Sequence, residues 1–188
     1  MIDSEAKIAG EVLLSGGIIL YPTDTIWGIG CDATNMDAVQ AIYDIKQRDD
    51  SKSMLVLVNG ISMLKDYLKE IPAQALELLA KAEKPTTIIY PGARNLASNL
   101  LADDGSVGIR ITSDPFCQKL IESAGVPIVS TSANLSGFSS PSLFSEISAK
   151  ICQQVDHVVN WRQNETEPSL PSTIIKLEMD GRINILRP

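Results

Sequence analysis

The chain has few aromatic residues, one histidine and no clustered cysteines. Aromatic residues make up 5% of its 188 residues, and Cys31, Cys117 and Cys152 are far apart, without a Cys-x-x-Cys pair. An odd number of scattered cysteines argues against a zinc site or a disulfide framework and suits a reducing cytosol. The single histidine, His157, alternates with two valines, which favours a structural role over a catalytic one.

Long apolar runs and excess positive charge are also missing. No stretch reaches the about 18 consecutive apolar residues of a membrane-spanning helix, and the N-terminus carries Asp3 and Glu5 in place of an apolar signal segment. We therefore expect a cytoplasmic protein with no membrane association. With 16 Lys and Arg against 23 Asp and Glu, the net charge is −7, so any binding of RNA would need a local basic patch.

Familiar motifs of nucleotide binding and hydrolysis are missing too. The chain has no Gly-x-x-x-x-Gly-Lys-Ser/Thr and no Gly-x-Gly-x-x-Gly, and its one Gly-x-Gly, Gly28-Ile-Gly30, is a weak signal. The sequence contains no nucleophile elbow of the kind that Ser-His-Asp catalysis uses. It also shows no clear pattern of paired carboxylates for acid–base catalysis. At 20.3 kDa and 44% hydrophobic residues, we expect residues 1–188 to form a single domain around one buried core.

Apolar periodicity predicts an α/β fold in which strands alternate with helices. The predicted helices are one that stops at Gly16-Gly17, one capped by Asp37, and those over 62–67, 72–80, 114–124 and 143–152. The predicted strands cover 18–21, 54–58, 85–90, 106–112, 128–134, 155–159, 172–177 and 183–186, the last following a hairpin turn at Asp180-Gly181. The strand carrying Arg110, the helix over 114–124 and the strand carrying Ser132 form a predicted β-α-β unit.

A row of polar side chains marks the strand at 128–134. If this segment is extended, the side-chain period of two places Ser130, Ser132 and Asn134 on one face. Buried hydroxyls and amides need hydrogen-bond partners, which either the protein or a polar ligand supplies. The segment is therefore either a ligand-binding strand end or a serine-rich transition to a loop with local caps and turns.

A second strand carries an arginine. In the segment 106–112 three β-branched residues alternate with small or polar ones, so Ser106 and Arg110 share a face. Gly108 lies between them and leaves room for a close approach to the backbone. Arg110 either lies on a solvated surface or is directed at a carboxylate or phosphate that matches its planar fork.

Three cations cluster at the end of the second helix. Lys46, Arg48 and Lys52 lie within one short segment. The helix macrodipole favours cations at a C-terminus by about 0.3 to 1 kcal/mol, so capping is one explanation. The other is a phosphate clamp, in which Lys46 and Arg48 neutralise a triphosphate in a chain that has no P-loop.

Two loops complete the pattern. The apolar strand ending at Tyr21 runs into Pro22 and then into hydroxyl and acid side chains, and loops that leave strand ends of an α/β sheet are where ligands usually bind. The polar stretch Arg162–Pro168 predicts a mobile loop.

Five segments, in order along the chain, resemble the YrdC family. They are Tyr21-Pro-Thr-Asp-Thr-Ile-Trp-Gly28, Lys46-Gln-Arg48, Ser106-Val-Gly-Ile-Arg110, Ser130-Thr-Ser-Ala-Asn-Leu-Ser-Gly137 and Pro171-Ser-Thr-Ile-Ile175. They span nearly the whole chain, and the Ser-Thr-Ser-Ala-Asn block is highly specific. The resemblance implies a single-domain α/β fold, with a twisted mixed sheet flanked by helices around a large concave cavity. It also implies a threonylcarbamoyl-adenylate synthase, which joins L-threonine, bicarbonate and ATP and releases pyrophosphate.

The resemblance further implies roles for individual residues. Those implied around threonine are Thr25, Arg110 and Ser130, with Arg110 a bidentate partner of its carboxylate. Those implied around ATP are Lys46, Arg48, Lys52, Ser106, Ser132, Asn134, Ser140 and Arg187. Lys46 and Arg48 are the implied catalytic residues, acting by charge stabilisation with Mg²⁺ that accompanies ATP, and no metal site on the protein is implied. The implied product feeds the threonylcarbamoyl modification of transfer RNA, completed by transferase partner proteins, and RNA, including double-stranded RNA, is a further candidate partner.

The chain departs from the family pattern at several positions. Asp49 and Ser53 stand where that family usually has prolines around the Lys-x-Arg clamp, Leu57 stands where synthases often have histidine, and Trp27 replaces a smaller or tyrosyl residue and could narrow the cavity. These changes resemble the YciO-like branch. A YciO-like nucleotide- or RNA-binding protein with weak or no synthase activity is therefore the alternative.

Overall fold

The structure, a computed structural model, describes residues 1–47, 54–178 and 180–188. Its helices are α1 (Ile2–Leu14), α2 (Met36–Lys46), α3 (Ile61–Tyr67), α4 (Ala73–Lys81), α5 (Pro115–Ala124) and α6 (Ala149–Cys152). Its strands are β1 (Ile19–Tyr21), β2 (Gly28–Gly30), β3 (Leu55–Val58), β4 (Thr86–Tyr90), β5 (Val107–Ile111), β6 (Ile128–Ser132), β7 (His157–Val158), β8 (Thr173–Leu177) and β9 (Ile183–Arg187). Short 3-10 turns cover Ser98–Leu100 and Phe144–Glu146.

The strands described form one sheet in the order β7-β1-β2-β6-β3-β5-β4-β8-β9. Three neighbouring pairs are parallel, namely β1 with β7, β3 with β5, and β4 with β8. The other neighbours are antiparallel. The predicted mixed sheet flanked by helices is confirmed.

One face of the sheet packs against α2, α3, α4 and α6. The buried apolar side chains on this face form a hydrophobic cluster. It includes Val56 and Val58 of β3, Ile109 of β5, and Val39 and Ile42 of α2. The alternating residues of the same strands therefore point to the opposite face.

That opposite face is covered by α1 and α5. Leu57 of β3 and Ile128 of β6 pack there with Leu13 of α1 and with Phe116 and Leu120 of α5. These contacts hold the two helices over the middle of the sheet. The cavity described below opens on the same face, towards β4, β8 and β9.

Helix α5 has clear signals at both ends. The side chain of Asp114 accepts hydrogen bonds from the backbone N–H groups of Phe116 and Cys117, and Pro115 occupies the first turn. The helix ends at Gly125, whose φ of 68° lies in the left-handed region that glycine adopts readily. The predicted bounds of this helix are confirmed within a residue.

Two other helix predictions are wrong in detail. The N-cap of α2 is Asn35 instead of Asp37, because the Asn35 side chain accepts hydrogen bonds from the backbone N–H groups of Asp37 and Ala38. The helix predicted over 143–152 is divided into a 3-10 turn and α6, since Ser148 caps a separate helix start.

Strand β2 was not predicted, because the sequence Gly28-Ile-Gly30 was interpreted only as a weak glycine motif. It pairs with both β1 and β6. A Cβ atom at Gly30 would lie 2.5 Å from the Val129 carbonyl oxygen and 2.6 Å from Cε1 of Tyr21. A Cβ atom at Gly28 would lie 3.0 Å from the Ser130 hydroxyl. Glycine at these positions therefore permits close strand packing and leaves room for Ser130.

The predicted β-α-β unit has the wrong topology. Strand β6 is antiparallel to β3, and β3 is parallel to β5. β5 and β6 therefore run in opposite directions and are separated by β3, whereas a β-α-β unit has parallel strands. In the described part of the chain, no helix has both the length and the apolar character needed to cross a membrane.

Candidate functional site

A cavity of about 220 Å³ opens on the sheet face that carries α1 and α5. Strands β2, β6, β5, β4, β8 and β9 all contribute to its walls. Six of the predicted site residues line it: Thr25, Arg110, Ser130, Ser132, Ser140 and Arg187. Small-molecule sites commonly measure roughly 300–1,000 Å³, so a nucleotide held here would extend to the mouth of the cavity.

Arg110 projects from β5 into this cavity and is 2% exposed. Its Nη2 lies 3.0 Å from Oδ1 of Asp24 and 3.3 Å from the Thr25 hydroxyl, to which it donates a hydrogen bond. Its Nε is buried without a hydrogen-bond acceptor. A buried guanidinium N–H without an acceptor is costly, so a ligand oxygen at this position would satisfy it.

Arg187, at the end of β9, lines another wall of the cavity. Its Nε donates to the Ser172 carbonyl oxygen at 2.7 Å and its Nη2 to the Ser172 hydroxyl at 3.2 Å. Burial and the positive charge of Arg110 lower the pKa of Arg187. Two guanidinium groups that repel each other across a cavity favour an anionic ligand.

Hydroxyl groups line the rest of the cavity. Ser130 and Ser132 project from β6, as the two-residue period predicted, and Ser140 lies on the loop that follows. Thr87 of β4 and Ser172 also line it, and their hydroxyls lie 2.9 Å apart. Hydroxyl groups both donate and accept, so they can bind phosphate or carboxylate oxygens.

Lys46 and Asn134 lie behind this lining. Lys46 is 2% exposed, and its Nζ donates to the carbonyl oxygens of Ser132 and, at 2.7 Å, of Asn134. The Asn134 amide donates to the Phe138 carbonyl oxygen at 2.7 Å. Both residues therefore hold the end of β6 and the loop after it, which positions Ser132 and Ser140.

Ser106 lies outside the cavity. It lines a separate hollow with Asp104, Lys176 and Arg182. Asp104 Oδ1 accepts a hydrogen bond from the Ser106 backbone N–H at 3.0 Å, and Asp104 Oδ2 lies 2.8 Å from the Lys176 ammonium. Arg48 and Lys52, which the family resemblance implied around ATP, fall outside the described residues, as do Asp49 and Ser53, which depart from the family pattern.

Trp27 and Leu57, which depart from the family pattern, lie in different surroundings from each other. Trp27 lines the cavity, is 3% exposed and packs against Phe144 with 4.8 Å between ring centroids. Its ring thus forms part of the cavity wall. Leu57 is buried in the cluster with α1 and α5 and is not among the residues that line the cavity.

Sequence reasoning assigned no role to Asp24, Thr87 or Ser172. Asp24 and Ser172 lie within the family-like segments quoted above, and Thr87 lies in a predicted strand with two successive threonines. Asp24 also lines a second hollow of about 590 Å³, between the chain near α3 and α4 and the end of β5. No local pattern pairs Thr87 with Ser172, because they are 85 residues apart in the chain.

His157 has the structural surroundings that its pattern predicted. Its Nε2 lies 2.8 Å from Oε1 of Glu5, an oxygen that also accepts a hydrogen bond from the backbone N–H of Asn160 at 2.7 Å. These contacts join β7 to α1. Among the described residues, no group of three His, Cys, Asp or Glu side chains is placed to hold a metal ion.

A protein-family comparison identifies the chain. The family model for Sua5, YciO and YrdC proteins, described as "Telomere recombination", matches residues 11–188. The chain belongs to the Sua5/YciO/YrdC family. The resemblance inferred from the five sequence segments is confirmed.

Two curated relatives are named threonylcarbamoyl-AMP synthase. The chain is 31% identical over 188 residues to the threonylcarbamoyl-AMP synthase of Pseudoalteromonas translucida (strain TAC 125), which covers 97% of this chain and 98% of that protein. It is 36% identical over 139 residues to the threonylcarbamoyl-AMP synthase of Xanthomonas campestris pv. campestris, covering 72% and 73%.

Solved structures of the family have the same fold. The crystal structure of P. abyssi Sua5 complexed with L-threonine matches with a TM-score of 0.89 and 26% identity, covering 99% of this chain. The chain spans 54% of the length of that Sua5 chain. The crystal structure of E. coli YciO matches with a TM-score of 0.85 and 28% identity, covering 98% of this chain and 89% of that one.

Proposed function

We propose that this protein is a threonylcarbamoyl-AMP synthase, an enzyme that forms threonylcarbamoyl-AMP and pyrophosphate from L-threonine, bicarbonate and ATP. The supporting observation is Arg110, a buried arginine in a hydroxyl-lined cavity whose Nε has no acceptor. The names of the curated relatives and the L-threonine complex of P. abyssi Sua5 support the same reaction.

Arg110 is proposed to bind the threonine carboxylate. Because Nη2 already contacts Asp24 and Thr25, the unfilled Nε fixes where a carboxylate oxygen completes its set of partners. Ser130 lies on the neighbouring wall and offers a further hydroxyl. This arrangement supports the threonine-binding roles that the family resemblance implied for Arg110, Thr25 and Ser130.

ATP is proposed to occupy the side of the cavity formed by Ser132, Ser140 and Arg187. Arg187 supplies a positive charge for the phosphates, and Mg²⁺ enters with ATP as part of the substrate. Lys46 holds the backbone at Ser132 and Asn134, so its proposed catalytic role includes fixing the strand end against which the phosphates lie. Arg48 and Lys52 are proposed to add to the phosphate contacts, and Ser106 and Asn134 are further proposed ATP residues.

The reaction needs little acid–base machinery. The threonine amine adds to the carbon of bicarbonate, water is lost, and a carbamate forms. A carbamate oxygen then attacks the α-phosphorus of ATP, the bond to the β-phosphate oxygen breaks, and pyrophosphate leaves. Positioning of the two substrates and stabilisation of the phosphate charge are the main contributions of the protein.

In this proposal the protein is a cytoplasmic nucleotidyltransferase of tRNA modification. Its product passes to partner proteins that transfer the threonylcarbamoyl group to adenosine in transfer RNA. With a net charge of −7, contact with RNA would depend on a local patch instead of the overall field.

The proposal is tested by pyrophosphate release from the purified protein, with each substrate omitted in turn. We expect release only when L-threonine, bicarbonate and Mg-ATP are all present. Arg110→Ala should abolish it, while Arg94→Ala, which removes an exposed hydrogen bond to the Lys65 carbonyl oxygen, should leave it unchanged. ATP binding without threonine-dependent release would instead support the YciO-like alternative, a nucleotide- or RNA-binding protein.

A further inference from the structure

We propose that Arg162 and Thr23 act together as positioning residues for the threonine site. Through its contacts with Asp114 and with the backbone of Thr23, Arg162 holds the loop 22–27 so that the Thr25 hydroxyl meets Arg110. This inference rests on the proposed function, because it takes Thr25 and Arg110 as threonine-binding residues.

Arg162 makes contacts in three directions. Its Nη1 donates to Asp114 Oδ2 at 2.7 Å and to the Thr23 carbonyl oxygen at 3.1 Å, and its Nε donates to Glu165. Its backbone φ of 60° lies in the left-handed region, which is uncommon for a residue other than glycine. Such a conformation persists where surrounding contacts hold it in place.

Asp114 is a fixed anchor for this arginine. Its Oδ1 accepts hydrogen bonds from the backbone N–H groups of Phe116 and Cys117, both at 2.9 Å, and so caps α5. The same carboxylate binds Arg162 through Oδ2. Asp114 therefore links Arg162, and through it the loop 22–27, to α5, a helix that packs in the core.

Thr23 transmits this anchoring to Thr25. Its Oγ1 donates to the Ile26 carbonyl oxygen at 2.8 Å and accepts from the Thr25 backbone N–H at 3.0 Å. The two threonine hydroxyls lie 3.0 Å apart, and the Thr25 hydroxyl also lies 3.3 Å from Arg110 Nη2.

The direction of these hydrogen bonds follows from counting protons. A hydroxyl has one proton, and that of Thr23 is used on the Ile26 carbonyl, so Thr25 is the donor between the two hydroxyls. Thr25 then accepts from Arg110 and has no proton left for a ligand. It can offer a ligand only a lone pair, which suits the amine or hydroxyl group of threonine and does not suit its carboxylate.

The ATP side of the cavity is built on other elements. Ser132 lies on β6, Ser140 on the loop after it, and Arg187 on β9. The contacts of Arg162 go to Thr23, Asp114 and Glu165. Loss of Arg162 should therefore weaken the use of threonine and leave the use of ATP unchanged.

The first test compares Michaelis constants. We expect Arg162→Ala and Thr23→Val each to raise KM for L-threonine about tenfold, the effect of losing roughly one hydrogen-bonded contact, with KM for ATP unchanged. Arg162→Lys should recover part of the loss, and Asp114→Asn, which keeps the helix cap, should resemble Arg162→Ala. Arg94→Ala is the matched control, because Arg94 also donates to a backbone carbonyl oxygen, that of Lys65, but lies away from the cavity. An equal rise in both KM values, or no rise for threonine, would overturn the inference.

The second test needs no activity. Hydrogen exchange of the Thr25 amide, which donates to Thr23 Oγ1, should be faster in Arg162→Ala than in wild type or Arg94→Ala. Unchanged exchange would contradict the positioning role. Because this measurement does not depend on turnover, failure of the synthase proposal and failure of the positioning proposal give different results.

Discussion

Arg110 and Asp24 form a buried ion pair beside the cavity, with 3.0 Å between Nη2 and Oδ1 and side-chain exposures of 2% and 9%. The two atoms are close enough for strong attraction, but the contact is not a hydrogen bond, since Asp24 Oδ1 has no hydrogen-bond donor. Arg110 Nε is a different atom and has no hydrogen-bond acceptor. Asp24 thus compensates the charge of Arg110 while hydrogen-bonding capacity remains for a ligand.

Asp24→Asn should destabilise the protein by about 3 kcal/mol, because removing one partner of a buried pair leaves the other charge uncompensated. Urea unfolding measures the change. In the exposed pair of Arg182 and Asp180, Asp180→Asn should change stability by less than about 0.5 kcal/mol. Equal effects of the two substitutions would show that burial does not strengthen the Arg110–Asp24 interaction.

Gly30→Ala should cost about 1 to 3 kcal/mol of stability, the usual range for overpacking a rigid interior. The added methyl group would meet the Val129 carbonyl oxygen and the Tyr21 ring at distances that require the strands to move apart. Gly60→Ala is the control, because a Cβ atom there has nothing within 4 Å. Thermal unfolding of both variants measures the difference, and a Gly30→Ala variant as stable as Gly60→Ala would contradict the packing described for β2.

Local sequence patterns predicted most of the elements and the wall of the site that lies on β6. The two-residue period placed Ser130, Ser132 and Asn134 on one face. Ser130 and Ser132 line the cavity, but the prediction is wrong for Asn134, because β6 ends at Ser132 and Asn134 lies on the loop after it. The pattern failed where long-range pairing decides the structure. Strand β2 has only three residues and depends on β1 and β6 for its formation, and the direction of β6 relative to β5 depends on the strand between them.

The same limit applies to the candidate site. The alternating pattern predicted that Ser106 and Arg110 share one face of a strand. However, β5 begins at Val107, and Ser106, just before it, lines a different hollow. The basic cluster predicted either a capped helix end or a phosphate clamp, whereas the Lys46 ammonium donates to backbone carbonyl oxygens at the end of β6 and on the loop after it. Such contacts depend on which elements become neighbours, and neighbouring residues in the sequence do not specify this.

Lys46→Met should reduce both stability and nucleotide binding. It removes a buried ammonium that donates to the carbonyl oxygens of Ser132 and Asn134, and leaving buried carbonyls without donors costs roughly 1 to 3 kcal/mol. Urea unfolding and calorimetric ATP titration measure the two effects. Retained stability together with lost ATP affinity would show that Lys46 acts on the phosphates alone, and unchanged values in both would remove its role altogether.

The pair of Asp104 and Lys176 should give a pH-dependent contribution to stability. The hydrogen bond from Lys176 lowers the pKa of Asp104 from 3.8 to about 2. The pKa of Asp104 is lower in the folded state than in the unfolded state. The contribution to stability is therefore fully present above pH 3.8 and is lost as the pH falls through the folded-state pKa of about 2. Both side chains are partly exposed to solvent, so we expect it to stay below about 1 kcal/mol.

Urea unfolding of wild type and Asp104→Asn across this acid range measures the contribution. The wild type should be the more stable of the two at neutral pH, and the two stabilities should converge as Asp104 becomes protonated. A difference that persists at the acid end of the range would show that the substitution acts through something other than the carboxylate charge.

The most direct test of the proposed activity is mass spectrometry of the product formed from L-threonine, Mg-ATP and ¹³C-labelled bicarbonate. We expect threonylcarbamoyl-AMP that is heavier than the unlabelled product by one carbon label, and none from Arg110→Ala. Absence of this product from the folded wild-type protein, with ATP still bound, would contradict the synthase assignment.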